Sequence, residues 1–386
     1  MNRESWLLAF SGGVTGFVWG ANTVVLPLYM RALGLGSFTI GILISSSVLL
    51  GSTLSLAISL LADLQGRKKF VYLNTATTLT ALLLYSTGKP NYLVAGYLIG
   101  STGWTSGTLR SVLLAESAKN EIQRAFSLSS SINTLFAFTG SLGAAIPSLF
   151  NYTIWGYRTL FIAEASAALL SIALITPIHE NSASRRRVST ASLKLALRFG
   201  VDSLIGLGAG LLLPLLPLWF NLRFGVNSAQ LAPVFAASQL TLAIGQLLSY
   251  RVAAKIGRVW AVVACESAAT ALLFIIPLSP SFPLSSTLII LRNTLMNMSG
   301  PITTAMMMDY VGEHGRASAM GVVNLMHSLP RALGPFIGGY LLSIGRLSYP
   351  FYFTGTLYTT SIALFYLFFG DRSPLKYTPN NNKPQP

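Results

Sequence analysis

Apolar residues run along this chain in about twelve long stretches, at roughly 7–30, 38–62, 70–87, 91–115, 123–149, 157–178, 192–220, 228–252, 259–278, 284–310, 316–343 and 349–369. Short polar breaks separate them. A helix needs about 20 apolar residues to cross the hydrocarbon core of a bilayer, so each stretch reads as one membrane-spanning helix. The runs are continuous and do not alternate over ~10 residues, which argues against a transmembrane β-barrel. The first stretch, Trp6–Met30, follows Arg3 as a signal peptide would. It is too long for a signal h-region and no small-residue cleavage site follows, so it is predicted to stay as helix 1. The pattern as a whole predicts an all-α membrane protein with twelve transmembrane helices.

Composition agrees. Charged residues make up 10% of the 386 residues and hydrophobic ones 52%, whereas soluble domains carry about 25% charge. The net charge of +15 would point to nucleic acid in a soluble protein, but the placement of the cations gives it another meaning. With a cytoplasmic N-terminus, 18 of the 26 Lys and Arg fall in inner loops, at inner helix ends or in the tail. Only five (Arg31, Lys89, Arg158, Arg223 and Arg346) fall outside. That asymmetry is the positive-inside rule. It puts both termini in the cytoplasm and removes nucleic acid as a partner. Cys265 stands alone, and His179, His314 and His327 are scattered, so neither a disulfide framework nor a metal site is expected. No GxxxxGK[ST] occurs, so ATP hydrolysis by this chain is unsupported.

The chain repeats itself at about half its length. A shift of 191 places Gly66-Arg67 on Gly257-Arg258, and a shift of 193 places Gly107 on Gly300 and Glu116 on Asp309. Shifts of 191–192 bring Arg124 onto Arg316, Asn133 onto Asn324 and Gly143 onto Gly334. The reading is two six-helix bundles in one orientation, 1–178 and 192–371, joined by a polar, basic cytoplasmic linker, 179–191. Residues 372–386 follow as a cytoplasmic tail.

Two parallel six-helix halves, with a charged Gly-Arg loop after the second helix of each, resemble the major facilitator superfamily of secondary transporters. The resemblance covers about residues 7–370. The family's loop between helices 2 and 3 reads approximately G-x-L-x-D-x-x-G-R-[KR]-x. Here "SLLADLQGRKK" keeps Leu61, Asp63, Gly66, Arg67 and Lys68, with Ser59 in place of the first Gly. The second copy keeps Gly257 and Arg258 but has Ala254 where Asp would sit. Gly66 permits a tight turn, and Arg67 and Lys68 hold the loop at the cytoplasmic side. The resemblance implies that Asp63 faces the N-terminal end of helix 11 near Arg316 and latches the cytoplasmic side. Arg110, Glu116 and Arg124 are expected to share that lattice, with Asp309 in the second copy. It further implies that helices 1, 4, 7 and 10 line a cavity and that helices 2, 5, 8 and 11 form the moving interface.

Six charges lie inside helices: Arg110, Glu164, Asp202, Glu266, Arg292 and Arg331. Charges in such positions mark function by default, and their balanced signs predict mutual pairing. Arg110 sits near the inner end of helix 4 and is grouped with the lattice. Arg331 is central in helix 11, with Asp202 as its preferred partner and Glu266 as the other choice. Asp202, Arg292, Arg331, Asn22 and Asn297 are candidates for a substrate or proton site. Glu164, Glu266 and His327 are candidates for coupling or for a structural role. Trp19, Trp104, Asn133, Gln239 and Asn293 could add hydrogen bonds and stacking.

The expected activity is secondary active transport of a small solute by alternating access, coupled to protons and not enzymatic. Efflux of drug-like or metabolite substrates is preferred, as an antiporter. The alternative is proton-linked uptake of a small anionic or polar metabolite, and a third reading is a non-transporting sensor or partner subunit. The expected partners are the lipid bilayer, a small-molecule substrate and protons. No cofactor or metal is expected, and the chain is expected to be a monomer in the plasma membrane.

Overall fold

A computed structural model describes residues 2–118, 121–178, 202–311 and 316–370. The linker 179–191 and the tail 372–386 lie outside the described residues, as do the side chains of Asp63, Trp104, Asp202, Asp309 and Arg316.

Among the described residues there are twelve helical spans and no strands. The first half holds α1 (Arg3–Ala32), α2 (Ser37–Gln65), α3 (Arg67–Ser86), α4a (Pro90–Ile99), α4b (Ser106–Ala118), α5 (Ile122–Gly143) and α6 (Ile154–Ile175). The second holds α7a (Asp202–Leu212), α7b (Leu216–Phe224), α8 (Ser228–Ile256), α9 (Arg258–Ile275), α10 (Phe282–Val311), α11 (Arg316–Ser343) and α12 (Tyr349–Phe369). Seven described spans (α1, α2, α5, α6, α7, α8 and α9) are long and apolar enough to cross a membrane.

Two spans expected to be continuous are broken. Span 4 passes through a 3-10 segment at Gly100–Thr105, and span 7 through one at Leu213–Leu215. Pro214 lies within the second break and Pro217 in the first turn of α7b, each lacking a backbone donor. Broken helices are tolerated at membrane depth where they line a cavity. Spans 4 and 7 are two of the four that the family resemblance implies for the cavity.

The two Gly-Arg loops turn alike. Gly66 has φ 101° and ψ 136°, and Gly257 has φ 84° and ψ 155°. Only glycine adopts this backbone without strain. Both residues end one helix and start the next, so the repeat read from two letters is a repeat of geometry.

Lipid gives no hydrophobic drive between helices, so close approach through small residues does that work. A Cβ on Gly16 of α1 would stand 2.6 Å from the Asn133 carbonyl oxygen of α5, and Gly20 meets the Ala137 carbonyl likewise. In the second half Gly206 of α7a meets the His327 carbonyl of α11, and Gly210 meets that of Arg331. The two contacts match at shifts of 190 on α1/α7 and 194 on α5/α11. This corrects the sequence alignment there. His327, not Asn324, occupies the place of Asn133, and Arg331 occupies that of Ala137. Letter identity slipped the register by about one helical turn, because backbone contact and not residue type defines the equivalence.

The halves meet through α2 on α11 and α5 on α8. Gly339 lies so close to α2 that a Cβ there would stand 2.7 Å from the Ser37 carbonyl oxygen. Phe38 packs on Phe336 and Tyr340 at 5.3 and 5.9 Å between centroids. These contacts lie at the end opposite the Gly-Arg loops. One buried apolar cluster spans both halves at that end, including Tyr29, Ile40, Phe161, Trp219, Phe220 and Phe351. At the motif end, where Gly66-Arg67 and Gly257-Arg258 turn, the described apolar residues split into two clusters. Leu8, Ile58, Val71 and Leu113 belong to one half, and Val262, Ile302, Met306 and Phe365 to the other. Among the described residues, apolar packing is continuous between the halves at the opposite end and divided at the motif end.

Candidate functional site

The motif loop divides its labour. Arg67, 7% exposed, donates from Nη1 to Oε1 of Glu116 on α4b. Lys68 Nζ donates to the carbonyls of Thr176 and Ile178 at 2.8 and 2.7 Å. These carbonyls sit at the C-terminal end of α6, where a cation favours the helix dipole. Arg124 does not join this group; its partner is Glu121, three residues earlier, at 3.4 Å on an exposed surface. Such a pair contributes at most about 1 kcal/mol.

Arg110 leaves the lattice altogether. It is 6% exposed, and Nη1 donates to Thr15 Oγ1 on α1 while Nη2 donates to Thr75 Oγ1 on α3 and Ser171 Oγ on α6. Among the residues whose side chains are described, Arg67, Glu116 and Lys68 stay together around the loop, whereas Arg110 bonds hydroxyls of α1, α3 and α6. Glu116→Gln should leave Arg67 short of its carboxylate. The pair is only partly buried, so about 2 kcal/mol of stability should be lost, read as a lower melting temperature of the purified protein.

Deeper in the first half, Glu164 of α6 is fully buried. Asn22 Nδ2 on α1 donates to its Oε2 at 2.8 Å. Glu164 Oε1 and Asn22 Oδ1 are both buried acceptors without a protein donor. Tyr85 of α3 lies within electrostatic range of the carboxyl, and Tyr97 of α4a within range of Tyr85. The Tyr29 ring of α1 packs in tilted contact with Tyr157 and Phe161 of α6. The cation nearest along α6, Arg158, binds the Thr87 carbonyl instead.

The second half carries cations at its centre. Arg292 of α10 is 1% exposed, and its guanidinium donates to Asn293 Oδ1 at 2.9 Å and to Tyr358 Oη at 3.0 Å. Arg331 of α11 lies within electrostatic range of both Tyr358 and Arg292, and His327 within range of Arg331. Glu266 of α9 is buried. Asn297 is exposed, and its Nδ2 donates to the Asn293 carbonyl at 2.8 Å.

The expected mutual pairing of interior charges is thus corrected for three residues. Glu164, Arg110 and Arg292 each bond neutral groups of their own half, since the tight helix contacts hold them apart. The side chain of Asp202, the preferred partner of Arg331, lies outside the described residues. Sequence reasoning missed Tyr358, Thr75 and Ser171. A visible signal was their position as polar residues in otherwise apolar runs.

Two cavities matter. One of about 250 Å³ is walled by α1, α4b and α5, with Thr15, Arg110, Ser111, Ser129, Ser130 and Asn133 among its lining. A larger one of about 580 Å³ lies between α9 and α12 among Trp260, Phe274, Ile362 and Tyr366, on a mostly apolar surface that includes none of the buried arginines. Trp19 of α1 is 56% exposed although α4b, α5, α6, α7b and α8 all pack on that helix.

Solved structures share this architecture. The nucleoside transporter NupG superposes with a TM-score of 0.76 at 15% identity, over 94% of this chain and 98% of that one. The human organic anion transporter MFSD10 gives 0.64 at 18%, over 94% and 99%. A bacterial homologue of the human lysosomal transporter Spinster, in an inward-facing and occupied conformation, gives 0.69 at 14%, over 94% and 95%. No curated protein matches the sequence. A family model described as the Major Facilitator Superfamily matches twice, over residues 8–200 and 199–386, once for each repeat, and the chain belongs to that superfamily.

Proposed function

We propose that this protein is a proton-coupled secondary transporter that moves a small solute by alternating access. One observation carries the reading: a single apolar cluster bridges the halves at one end, while the described apolar residues at the motif end form one cluster per half. Rocking about α2–α11 and α5–α8 would exchange the sealed and parted ends. In this reading Asp63 meets the start of α11 when the motif end closes, and the Arg67–Glu116 pair holds the loop in position. The domain limits are those read from the sequence, 1–178 and 192–371 around a linker at 179–191. The cation asymmetry supports a plasma-membrane protein with both termini cytoplasmic, so that the parted end faces the cytoplasm.

Glu164 supplies the proton site. It is a fully buried carboxyl bonded to Asn22 on cavity-lining α1, so its protonation state is linked to the helix that meets the solute. Efflux of a drug-like or metabolite solute remains preferred. Uptake of an anionic solute is the second reading, favoured by Arg292 and Arg331 sharing Tyr358 in the second half. Structural neighbours named for nucleosides and for organic anions supply the first compounds to try.

The test is transport into proteoliposomes under an imposed pH gradient, with radiolabelled nucleosides, organic anions and cationic dyes. Accumulation that a protonophore abolishes is the expected result, and its direction relative to the gradient separates efflux from uptake. Equal flux with and without the gradient would refute the coupling. No flux of any panel compound, together with no solute-dependent proton movement, would favour the sensor.

A further inference from the structure

We infer that Arg110 forms an anion-binding subsite for a carboxylate or phosphate group of a small solute, reached through the cavity of about 250 Å³ between α1, α4b and α5. The observation is a charge that bonds no counter-charge among the described residues. A guanidinium carries five N–H donors. Three of those on Arg110 go to the hydroxyls of Thr15, Thr75 and Ser171. Two remain, one of them on Nε, which is buried without a partner.

The three hydroxyls are neutral, and each is already anchored. Thr15 Oγ1 donates to the Ser11 carbonyl, Thr75 Oγ1 to the Val71 carbonyl, and Ser171 Oγ to the Ser11 carbonyl. Thr15 and Thr75 spend their protons on the backbone, and Ser171 Oγ also lies 2.8 Å from Ser11 Oγ, so all three are held in place as they accept from Arg110 and keep the fork rigid. They orient the cation without neutralising it. A charge this deep in a membrane helix is costly, and a fixed fork is the geometry that receives a carboxylate or phosphate.

The surroundings fit an anion. Arg110 is the only charged residue among the eleven that line the cavity, and Ser111, Ser129, Ser130 and Asn133 offer further polar groups. On its other side Arg110 borders a space of about 20 Å³ with Asn74, which is fully buried and has both amide atoms unpartnered. The volume, a little under the ~300 Å³ at the low end of ligand sites, favours a small solute. The cavity lies towards the parted motif end, with Asn133 and Ser130 exposed. It is therefore accessible in the state described here. Naming the anion a solute rests on the transporter reading; the binding of an oxyanion does not.

The test uses the full-length protein in nanodiscs of phosphatidylcholine. Thermal stabilisation is measured against inorganic phosphate and against succinate. Saturable stabilisation by at least one anion is expected. Arg110→Gln should weaken it about tenfold or more, since a hydrogen bond to a charged group is lost. Arg110→Lys should retain part of it. Should Arg110→Gln not fold, Ser130→Trp gives the same information by filling the cavity from its exposed wall, and it should abolish stabilisation without altering Arg110. No stabilisation of the parent protein by either anion would overturn the proposal, as would equal stabilisation of the parent protein and both blocking variants. Nanodiscs containing phosphatidylglycerol address the other source of the same chemistry. If that lipid saturates the effect and free anions do not compete with it, the solute assignment is overturned in favour of a lipid headgroup.

Discussion

Glu164→Gln is expected to fold like the parent protein and to lose accumulation driven by a pH gradient. The reason lies in two atoms. Glu164 Oε1 and Asn22 Oδ1 are buried acceptors without a donor, while Asn22 Nδ2 binds Oε2 at 2.8 Å. A proton on Oε1 turns one acceptor into a donor. Gln places a permanent donor there and keeps an oxygen for Asn22, so the variant mimics the protonated carboxyl and cannot release its proton. Each pH unit across the membrane is worth about 1.4 kcal/mol per proton, or about tenfold in accumulation. In the variant that factor should fall to about one, while exchange of labelled for unlabelled solute continues and the melting temperature changes little. Undiminished gradient-driven accumulation by Glu164→Gln would remove this residue from coupling.

The second large effect is expected from Gly339→Val. A Cβ at Gly339 would stand 2.7 Å from the Ser37 carbonyl oxygen and 2.8 Å from Gly41 Cα, both on α2 of the other half. The clash lies between the halves, not within one, so each half should still fold. Overpacking costs about 1–3 kcal/mol, which shifts the balance away from the state sealed at that end by about 5- to 150-fold. Transport should fall by at least the lower factor. Spin labels at the exposed Arg31 and Arg346, in a Cys265→Ala background, should report a longer distance than in the parent protein. Gly16→Val is the control. Its Cβ meets the Asn133 carbonyl inside one half at 2.6 Å, so it should lower the melting temperature instead of changing the distance. An unchanged distance and full transport in Gly339→Val would show that this contact does not seal the protein.

The sequence by itself determined the twelve spans, the two-fold repeat, the Gly-Arg turns and the family. All of these rest on signals that are local or periodic. Apolar runs of about 20 residues are dictated by bilayer thickness, and the positive φ of Gly66 and Gly257 is a property of single residues. Asn22, Glu164, Arg292 and Arg331 could be singled out because any polar group at membrane depth stands out against its run. Their partners could not be. Pairing Asn22 with Glu164, Arg292 with Tyr358 and Arg110 with Thr15, Thr75 and Ser171 depends on which helix faces which, and on their rotation. The closest glycine contacts set both. That is why Glu164, Arg110 and Arg292 bond neutral groups and not one another, and why Arg110 moved from gate lattice to cavity wall. The alignment of α5 with α11 shows the same limit. A shift of 191 matched Asn with Asn, but the backbone contacts of Gly16 and Gly206 put His327 there instead. A helix keeps its apolar run when slipped by a turn, so its sequence tolerates several registers, and only packing against a neighbour selects one.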